Sequence, residues 1–199
     1  MDFSKYWDSS RDDYSDRPSI LFQEEHLRYI TDNCNTIIDL GCGNGTLVQK
    51  LRNKYPEKNI DGLTYNKKEF FACKKNRNIN LMVGDMQDIK CIDELYDGFI
   101  MWDSLEHCQS AYIALCEAKR ILIEGGRGLI FMPGQNWINC HCHITCYTVP
   151  QMEQLFKQSG FRLINTFEKK YPDDNNRYCE GMAIYEIQKN SNYKPTFIF

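Results

Sequence analysis

The segment "DLGCGNG", residues 39–45, places a glycine at every second position directly after a short apolar run. Gly41, Gly43 and Gly45 carry no Cβ, so the backbone can turn sharply there and approach a ligand closely. Backbone N–H groups at the start of the following helix can face polar ligand atoms. Asp39 would repel a pyrophosphate but could bind a cationic amine. Because the spacing also differs from the Gly-x-Gly-x-x-Gly of dinucleotide enzymes, the segment indicates a nucleotide that carries an amino acid.

Polar residues also follow the other predicted strands. The runs "GDMQD", "WDSLEH" and "MPGQN" each stand where an apolar run ends. Ligands of parallel α/β sheets bind beyond the carboxyl ends of the strands, so Asp85 and Asp103 are candidate binding residues. Nucleotide-binding folds usually end the second strand in an acid that binds ribose, but here Thr64 stands at that place. Either the glycine turn is only a tight strand–helix turn, or this protein binds its ribose in another way.

His107 is a candidate catalytic residue, because an imidazole titrates near neutral pH and can act as a general base. The alternative for Glu106 and His107 is a structural role in bonding neighbouring loops. His143 belongs to "CHCHITC", residues 140–146, which could be a metal site or could simply pack. Cys-x-Cys geometry is tight, and no second cysteine pair stands at zinc-ribbon spacing. The sequence therefore predicts no metal, although it does not decide the question.

Hydrophobic patterning predicts the elements that carry these residues. The predicted strands are 37–40, 59–63, 80–83, 96–102, 128–132, 161–167 and 182–187. The predicted helices are 46–55, 67–76, 111–123 and 149–159. Gly125 and Gly126 are expected to end the third of these helices. The order, written βαβαβαβαβ followed by αββ, predicts an α/β fold: a doubly wound, seven-stranded, mostly parallel sheet with helices on both faces and an antiparallel C-terminal hairpin.

The composition is that of one globular domain. The chain has 199 residues, 42% of them hydrophobic, and a net charge of −3. These values favour a single domain with a sizeable core and give no basic field that would attract nucleic acid. No apolar run reaches the ~20 residues that span a bilayer, and the polar N-terminus lacks a signal-peptide pattern. A cytoplasmic protein is expected, with most of its ten cysteines reduced and packed in the core.

Five segments resemble the successive motifs of class I S-adenosylmethionine-dependent methyltransferases: "IIDLGCGNGTLVQKL", "GDMQDI", "YDGFIMWDSLEHC", "ALCEAKRILIEGGRGLIFMPGQN" and "HITCYTVPQMEQLFKQSGF". The resemblance is closest to the small-molecule branch that includes the ubiquinone-biosynthesis O-methyltransferases. "GLTYNKKE" instead resembles the "GLTLSxxQ" of cyclopropane-fatty-acid, mycolic-acid and tocopherol methyltransferases. The resemblance implies a Rossmann-like methyltransferase fold in a single domain, 1–199, with a core over 36–188 and a lid formed by residues 1–30.

S-adenosylmethionine is the cofactor that the resemblance implies. Thr64 would touch it, and Glu69, from the next helix, would bind the ribose hydroxyls by accepting their hydrogens. Asp85 would accept from the adenine amine and Met86 would pack on the ring, while the end of the fourth strand would border the methionine part. A solvated Glu69 and an Asp85 that only caps a turn are the alternatives. The implied cofactor-binding residues are Asp39, Gly41, Cys42, Gly43, Asn44, Gly45, Thr64, Glu69, Asp85, Met86, Trp102 and Asp103.

The implied reaction is methyl transfer to a small-molecule acceptor. Oxygen is the expected acceptor atom, and S-adenosylhomocysteine is the product. His143, the second candidate catalytic residue, would line the acceptor pocket and act as a base or a hydrogen-bond donor. Tyr14 or Arg17 of the lid could reach the cofactor carboxylate. A methyltransferase of RNA or protein and a non-catalytic binding module are the alternatives. The first would need a positive groove beside the methyl site, which the sequence does not clearly show, so nucleic acid is not the expected partner. The acceptor and the oligomeric state cannot be read from the sequence.

Overall fold

The computed structural model describes residues 19–73, 80–134, 142–172, 178–190 and 192. Within these ranges the helices are α1 Ser19–Thr31, α2 Thr46–Lys54, α3 Lys67–Cys73, α4 Ala111–Ile121 and α5 Val149–Ser159, with a short 3₁₀ helix at Leu105–His107. The strands are β1 Thr36–Leu40, β2 Asn59–Thr64, β3 Asn80–Val83, β4 Tyr96–Trp102, β5 Leu122–Pro133, β6 Phe161–Pro172 and β7 Tyr178–Lys189.

The seven strands form one sheet in the order β3-β2-β1-β4-β5-β7-β6. The first five strands along the chain pair in parallel, whereas β7 pairs antiparallel with both β5 and β6. The sheet order reverses at β1, because the chain moves outward from β1 through β2 to β3 and then returns to β4. In such sheets the ligand crevice lies at this switch point, beyond the carboxyl ends of β1 and its neighbours. The expected fold class is confirmed.

Apolar side chains cover both faces of the sheet. On one face, Ile30 of α1 and Val48 of α2 are fully buried with residues of β1 and β4. On the other, Leu115 of α4 and Phe156 of α5 are fully buried with residues of β4 and β5. A parallel sheet of this kind must be covered on both faces, and the rigid layers fix where its strand ends lie.

Three details differ from the sequence prediction. Helix α4 ends at Ile121, and the glycine pair lies inside β5, because Leu122 is already extended and pairs with Tyr96 of β4. The predicted order βαβαβαβαβ implies a helix between β3 and β4, for which no bounds were predicted, but this connection runs as loop and turn through the fully described residues 84–95. The two C-terminal strands are also longer than predicted, with 12 residues each.

None of the described helices combines the length and the apolar character that a membrane crossing requires.

Candidate active site

The glycine turn joins β1 to α2 at the switch point of the sheet. Gly41, Gly43 and Gly45 have φ angles of 91°, 53° and 75°, which side chains with a Cβ rarely adopt. The N–H groups of Gly41 and Cys42 donate to the Leu63 carbonyl over 2.8 and 2.9 Å, which ties the turn to the end of β2. The turn therefore needs glycine for its backbone conformation, as the sequence predicted.

Asn44 shapes the last part of the turn, where α2 begins. Its Oδ1 accepts from the Thr46 hydroxyl at 2.6 Å and from the Thr46 N–H at 3.2 Å. Such local side-chain bonds stabilise a turn before a helix. The described contacts of Asn44 thus support the shape of the turn, and its predicted contact with the cofactor stays a prediction.

Asp39 is the most unusual polar residue of this region. It is the fourth residue of β1, only 2% of its surface is exposed, and no described residue hydrogen bonds its Oδ1. Burial raises the pKa of this carboxyl from 3.8 to about 7. A buried carboxylate without a partner is unfavourable, whereas a nearby cation would favour its charged form. The structure thus places a buried acceptor of positive charge next to the glycine turn.

Thr64 ends β2 and is buried. Its hydroxyl oxygen accepts from the Asn66 N–H at 3.2 Å, and Asn66 in turn accepts from the Lys68 N–H at the start of α3 at 2.9 Å. Thr64 therefore helps to shape the β2–α3 turn, and its contact with the cofactor stays a prediction. Glu69 lies within α3, but its side chain is outside the described part of the structure, so its ribose role also stays a prediction.

Asp85 and Met86 follow β3 and approach the glycine turn. A Cβ placed on Gly41 would lie 3.1 Å from the terminal methyl of Met86, so the two loops touch. Asp85 Oδ1 accepts from the Gln87 N–H at 2.8 Å, which shows the turn-capping role considered above. Gln87 Oε1 accepts from the Ser110 N–H at 2.8 Å and so joins this loop to the start of α4. The binding of adenine by Asp85 stays a prediction. It would use the acceptor positions of the carboxylate that Gln87 does not occupy.

The end of β4 supplies the third side of the crevice. Trp102 stacks on Phe131 of β5, with ring centroids 4.6 Å apart. Asp103 has a φ of 45°, a left-handed conformation that is uncommon outside glycine, and its N–H donates to the Phe131 carbonyl at 3.1 Å. Strained backbone of this kind tends to persist at functional sites. The structure thus holds the peptide of Asp103 in a fixed, unusual orientation.

Ser104 is a site residue that the sequence analysis missed. Its buried hydroxyl donates to the Leu40 carbonyl at 2.8 Å, and a Cβ on Gly41 would overlap its side chain. It therefore locks the end of β4 against the end of β1. The only signal in the sequence was a serine inside "WDSLEH", and a single serine is too common to identify a site residue.

His107, in the 3₁₀ helix after β4, lies next to His143, with ring centroids 5.2 Å apart. Glu106, which is 1% exposed, places a carboxylate oxygen 3.7 Å from His107 Nε2. Burial lowers the pKa of His107 below its ordinary value, against hydrogen bonds with the backbone of Cys142 and Asp103 that raise it. The Ile144 N–H donates to the Glu106 carbonyl at 2.8 Å.

The structure thus brings two groups of predicted residues together. The glycine turn and Met86 meet at Gly41, where Ser104 joins them, and the two candidate catalytic histidines meet beside the 3₁₀ helix. Cys140 and His141 lie outside the described residues, as do Tyr14 and Arg17 and the rest of residues 1–18. The lid role of the N-terminal segment is accordingly not addressed by the structure.

Two sequence comparisons bear on this site. Residues 38–130 match the family model described as a methyltransferase domain. A ribosomal RNA large subunit methyltransferase G of Vibrio campbellii is 35% identical over 108 residues, which cover 47% of this chain and 28% of that protein. The chain therefore spans less than a third of the length of this curated relative.

Solved structures show the same fold. A SAM-dependent methyltransferase of Methanosarcina mazei superposes with a TM-score of 0.70 at 15% identity, over 83% of this chain and 97% of that one. A chain from the complex of the Haloferax volcanii Trm112 methyltransferase activator with a methyltransferase superposes with a TM-score of 0.71 at 16% identity, over 95% and 98% of the two chains. The [4+2]-cyclase SpnF gives 0.71 at 14% identity, over 85% and 80%.

The domain match and the fold agree with each other. The matched residues 38–130 run from β1 to β5 and contain the glycine turn, Asp85 and the 3₁₀ helix. The expected fold is confirmed, and the match of residues 38–130 supports the expected class, a methyltransferase domain for which S-adenosylmethionine is the implied methyl donor. Residues 38–130 match the methyltransferase-domain model, within a chain that shares its Rossmann-like fold with solved S-adenosylmethionine-dependent methyltransferases.

Proposed function

We propose that this protein binds S-adenosylmethionine at the glycine turn and transfers its methyl group to a small molecule. The observation that carries the proposal is Asp39, a buried carboxyl beside the turn whose Oδ1 has no hydrogen-bond partner among the described residues. A cationic amine suits this position, because a positive charge beside Asp39 would offset the free-energy cost of burying its carboxylate. The amino group of the methionine part of the cofactor is such a cation.

The remaining cofactor contacts are proposed for residues at the strand ends and in the helix that follows β2. Glu69 would bind the ribose, Asp85 and Met86 the adenine, and Trp102 and Asp103 the methionine part. When bound, the cofactor supplies a methyl group on a cationic sulfur, and its transfer breaks the C–S bond with the electron pair remaining on sulfur. The chain itself has to align the acceptor atom with that methyl group and exclude water.

We infer that the acceptor atom is a hydroxyl oxygen and that His107 and His143 lie on the acceptor side. The support is their position, because the 3₁₀ helix that carries His107 directly follows the end of β4. A hydroxyl is a weak nucleophile at neutral pH and needs assistance in losing its proton. Two adjacent imidazole rings, partly accessible to solvent, offer nitrogen atoms for that task.

A second candidate function is methylation of RNA. The observation in its favour is the 35% identity to the Vibrio campbellii ribosomal RNA methyltransferase over 108 residues. The net charge of −3 weighs against it, because backbone phosphates are bound mainly by cationic side chains.

We also propose a single-domain organisation, a lid formed by the N-terminal segment and a cytoplasmic location. The location is supported by the described cysteines, none of which is disulfide-bonded in the described residues.

Titration calorimetry with S-adenosylmethionine, S-adenosylhomocysteine and NADH tests the cofactor. We expect micromolar binding of the two sulfur nucleotides and none of NADH, and loss of S-adenosylmethionine binding in Asp39→Ala. A variant that binds normally would remove the main support for the proposal. Transfer of radioactive methyl to separate small-molecule, RNA and protein fractions then tests the acceptor. Label confined to RNA would favour the second candidate over the first.

A further inference from the structure

A second cluster of side chains lies beside the cofactor crevice, between the 3₁₀ helix and the segment that leads into α5. His107, Cys142 and His143 each offer one ligand atom, and these three atoms lie within 4.8 Å of one another. All three residues are partly exposed, so an ion could reach them from solvent. His107 is 35 residues away from Cys142 in the sequence, and the fold alone brings them together.

Hydrogen bonds hold the two segments of this cluster in place. The N–H groups of Ile144 and Thr145 donate to the Glu106 carbonyl at 2.8 and 3.1 Å. His107 Nδ1 lies 2.7 Å from the Cys142 carbonyl oxygen. Because a carbonyl can only accept, this contact needs a proton on Nδ1, and a metal ion would then be bound by Nε2, which lies 3.7 Å from Glu106 Oε1. Metal-binding histidines characteristically donate their second ring N–H to a backbone carbonyl or a carboxylate in this way.

We propose that His107, Cys142 and His143 bind a zinc ion and leave its fourth position open. Imidazole and thiolate ligands suit zinc, and three protein ligands with one exchangeable position characterise catalytic rather than structural zinc sites. Zinc bonds of about 2.0–2.3 Å place tetrahedral ligand atoms roughly 3.3–3.6 Å apart, so side-chain rotations that close the cluster by about 1 Å would suffice.

The zinc site deepens the proposed function, and only its catalytic role rests on that function. A hydroxyl bound at the open position becomes more acidic, because the ion withdraws electron density from oxygen. The O–H bond then breaks with its electron pair remaining on oxygen, and the proton passes to water. The resulting alkoxide or phenolate is the nucleophile for the methyl group. In this arrangement the two histidines act on the acceptor through the ion, and neither has to take up the proton.

The test is a zinc titration of the metal-stripped full chain in competition with a chromogenic chelator. We expect one ion per chain. Loss of a residue that only hydrogen-bonds a metal ligand lowers metal affinity about 10–100-fold. Cys142→Ser and His143→Gln remove ligands themselves, so each should lower the zinc affinity at least that much. Cys116→Ser is the matched control, since it removes a partly buried thiol from α4. Absence of binding, or equal affinities in the Cys142→Ser and Cys116→Ser variants, would overturn the proposal.

Cobalt(II) substitution tests the ligand type independently. Thiolate-to-cobalt charge-transfer absorption should appear in the wild-type chain and in Cys116→Ser and vanish in Cys142→Ser, and a spectrum without this band in the wild-type chain would contradict the site. The urea midpoint of each variant shows whether it is folded. Calorimetry with S-adenosylmethionine on the metal-stripped protein separates the two proposals: cofactor binding without zinc binding overturns only the metal site, and zinc binding without cofactor binding overturns only the proposed function.

Discussion

The buried carboxyl of Asp39 makes a quantitative prediction about stability. Its pKa rises from 3.8 in the unfolded chain to about 7 in the folded protein. The folded state therefore binds more protons than the unfolded state between these values, and stability falls as the pH rises through this window. At 1.36 kcal/mol per unit, a pKa difference of about 3 corresponds to roughly 4 kcal/mol of lost stability above pH 7.

Asp39→Asn removes this titration and keeps the size of the side chain. The amide is itself buried and leaves donors without partners, which costs about 1–3 kcal/mol at every pH. In the absence of cofactor, we therefore expect the variant to be close to wild-type stability near pH 5. It should be more stable than the wild type at pH 8, and the difference between the two proteins should grow by about 3 kcal/mol over that range.

Urea denaturation of both proteins at several pH values measures this difference, and all other titrating groups cancel in it. Parallel stability curves would show that Asp39 does not titrate in this range, and the carboxyl would then have to be ionised and solvated or paired in solution. Saturating S-adenosylmethionine should reverse the order of stability at pH 8, because only the wild type would gain the binding free energy.

The other predictions concern the turn and the adenosine contacts. Gly41→Ala should lose about 2–5 kcal/mol of unfolding free energy in urea, because its φ is 91° and the methyl would overlap a packed side chain. Gly125→Ala, with a φ of 75° and its nearest neighbour 3.9 Å away, should lose only about 1–2 kcal/mol; equal losses would refute the steric argument. Asp85→Ala should weaken S-adenosylmethionine binding by about 1–3 kcal/mol, with the exposed Asp88→Ala as control. Glu69→Ala should show a similar loss in calorimetry, and an unchanged dissociation constant would leave its ribose role without support.

The sequence predicted the strand ends better than the contacts between loops. Strands β1 to β4 are found within a residue of their predicted bounds, because each is an apolar run closed by glycine or polar residues. The boundary between α4 and β5 was wrong, because a glycine pair that resembles a helix stop instead lies inside a strand whose first residue pairs with Tyr96.

The cluster around His107 was also beyond the sequence. Its contact with Cys142 depends on the path of a loop that has no periodic pattern, and the spacing within "CHCHITC", from which no metal was predicted, takes no account of a histidine 35 residues upstream of Cys142. Asp39 shows the opposite case. Its position near the end of a strand, just before a glycine turn, led to the prediction that it binds a cation, whereas the extent of its burial could only come from the packing of the sheet.

The fold by itself does not decide the reaction, because the cyclase SpnF shares it with a TM-score of 0.71. The argument for a bound cation comes instead from the energetics of one residue. An empty site with a buried Asp39 is destabilised by roughly 4 kcal/mol at neutral pH. An apolar side chain would avoid that penalty, and an amide would replace it by a smaller one of about 1–3 kcal/mol. A ligand whose positive charge reaches Oδ1 recovers part of this free energy on binding. The residue that weakens the empty protein is therefore the one that favours its cationic ligand, and the two effects should disappear together in Asp39→Asn.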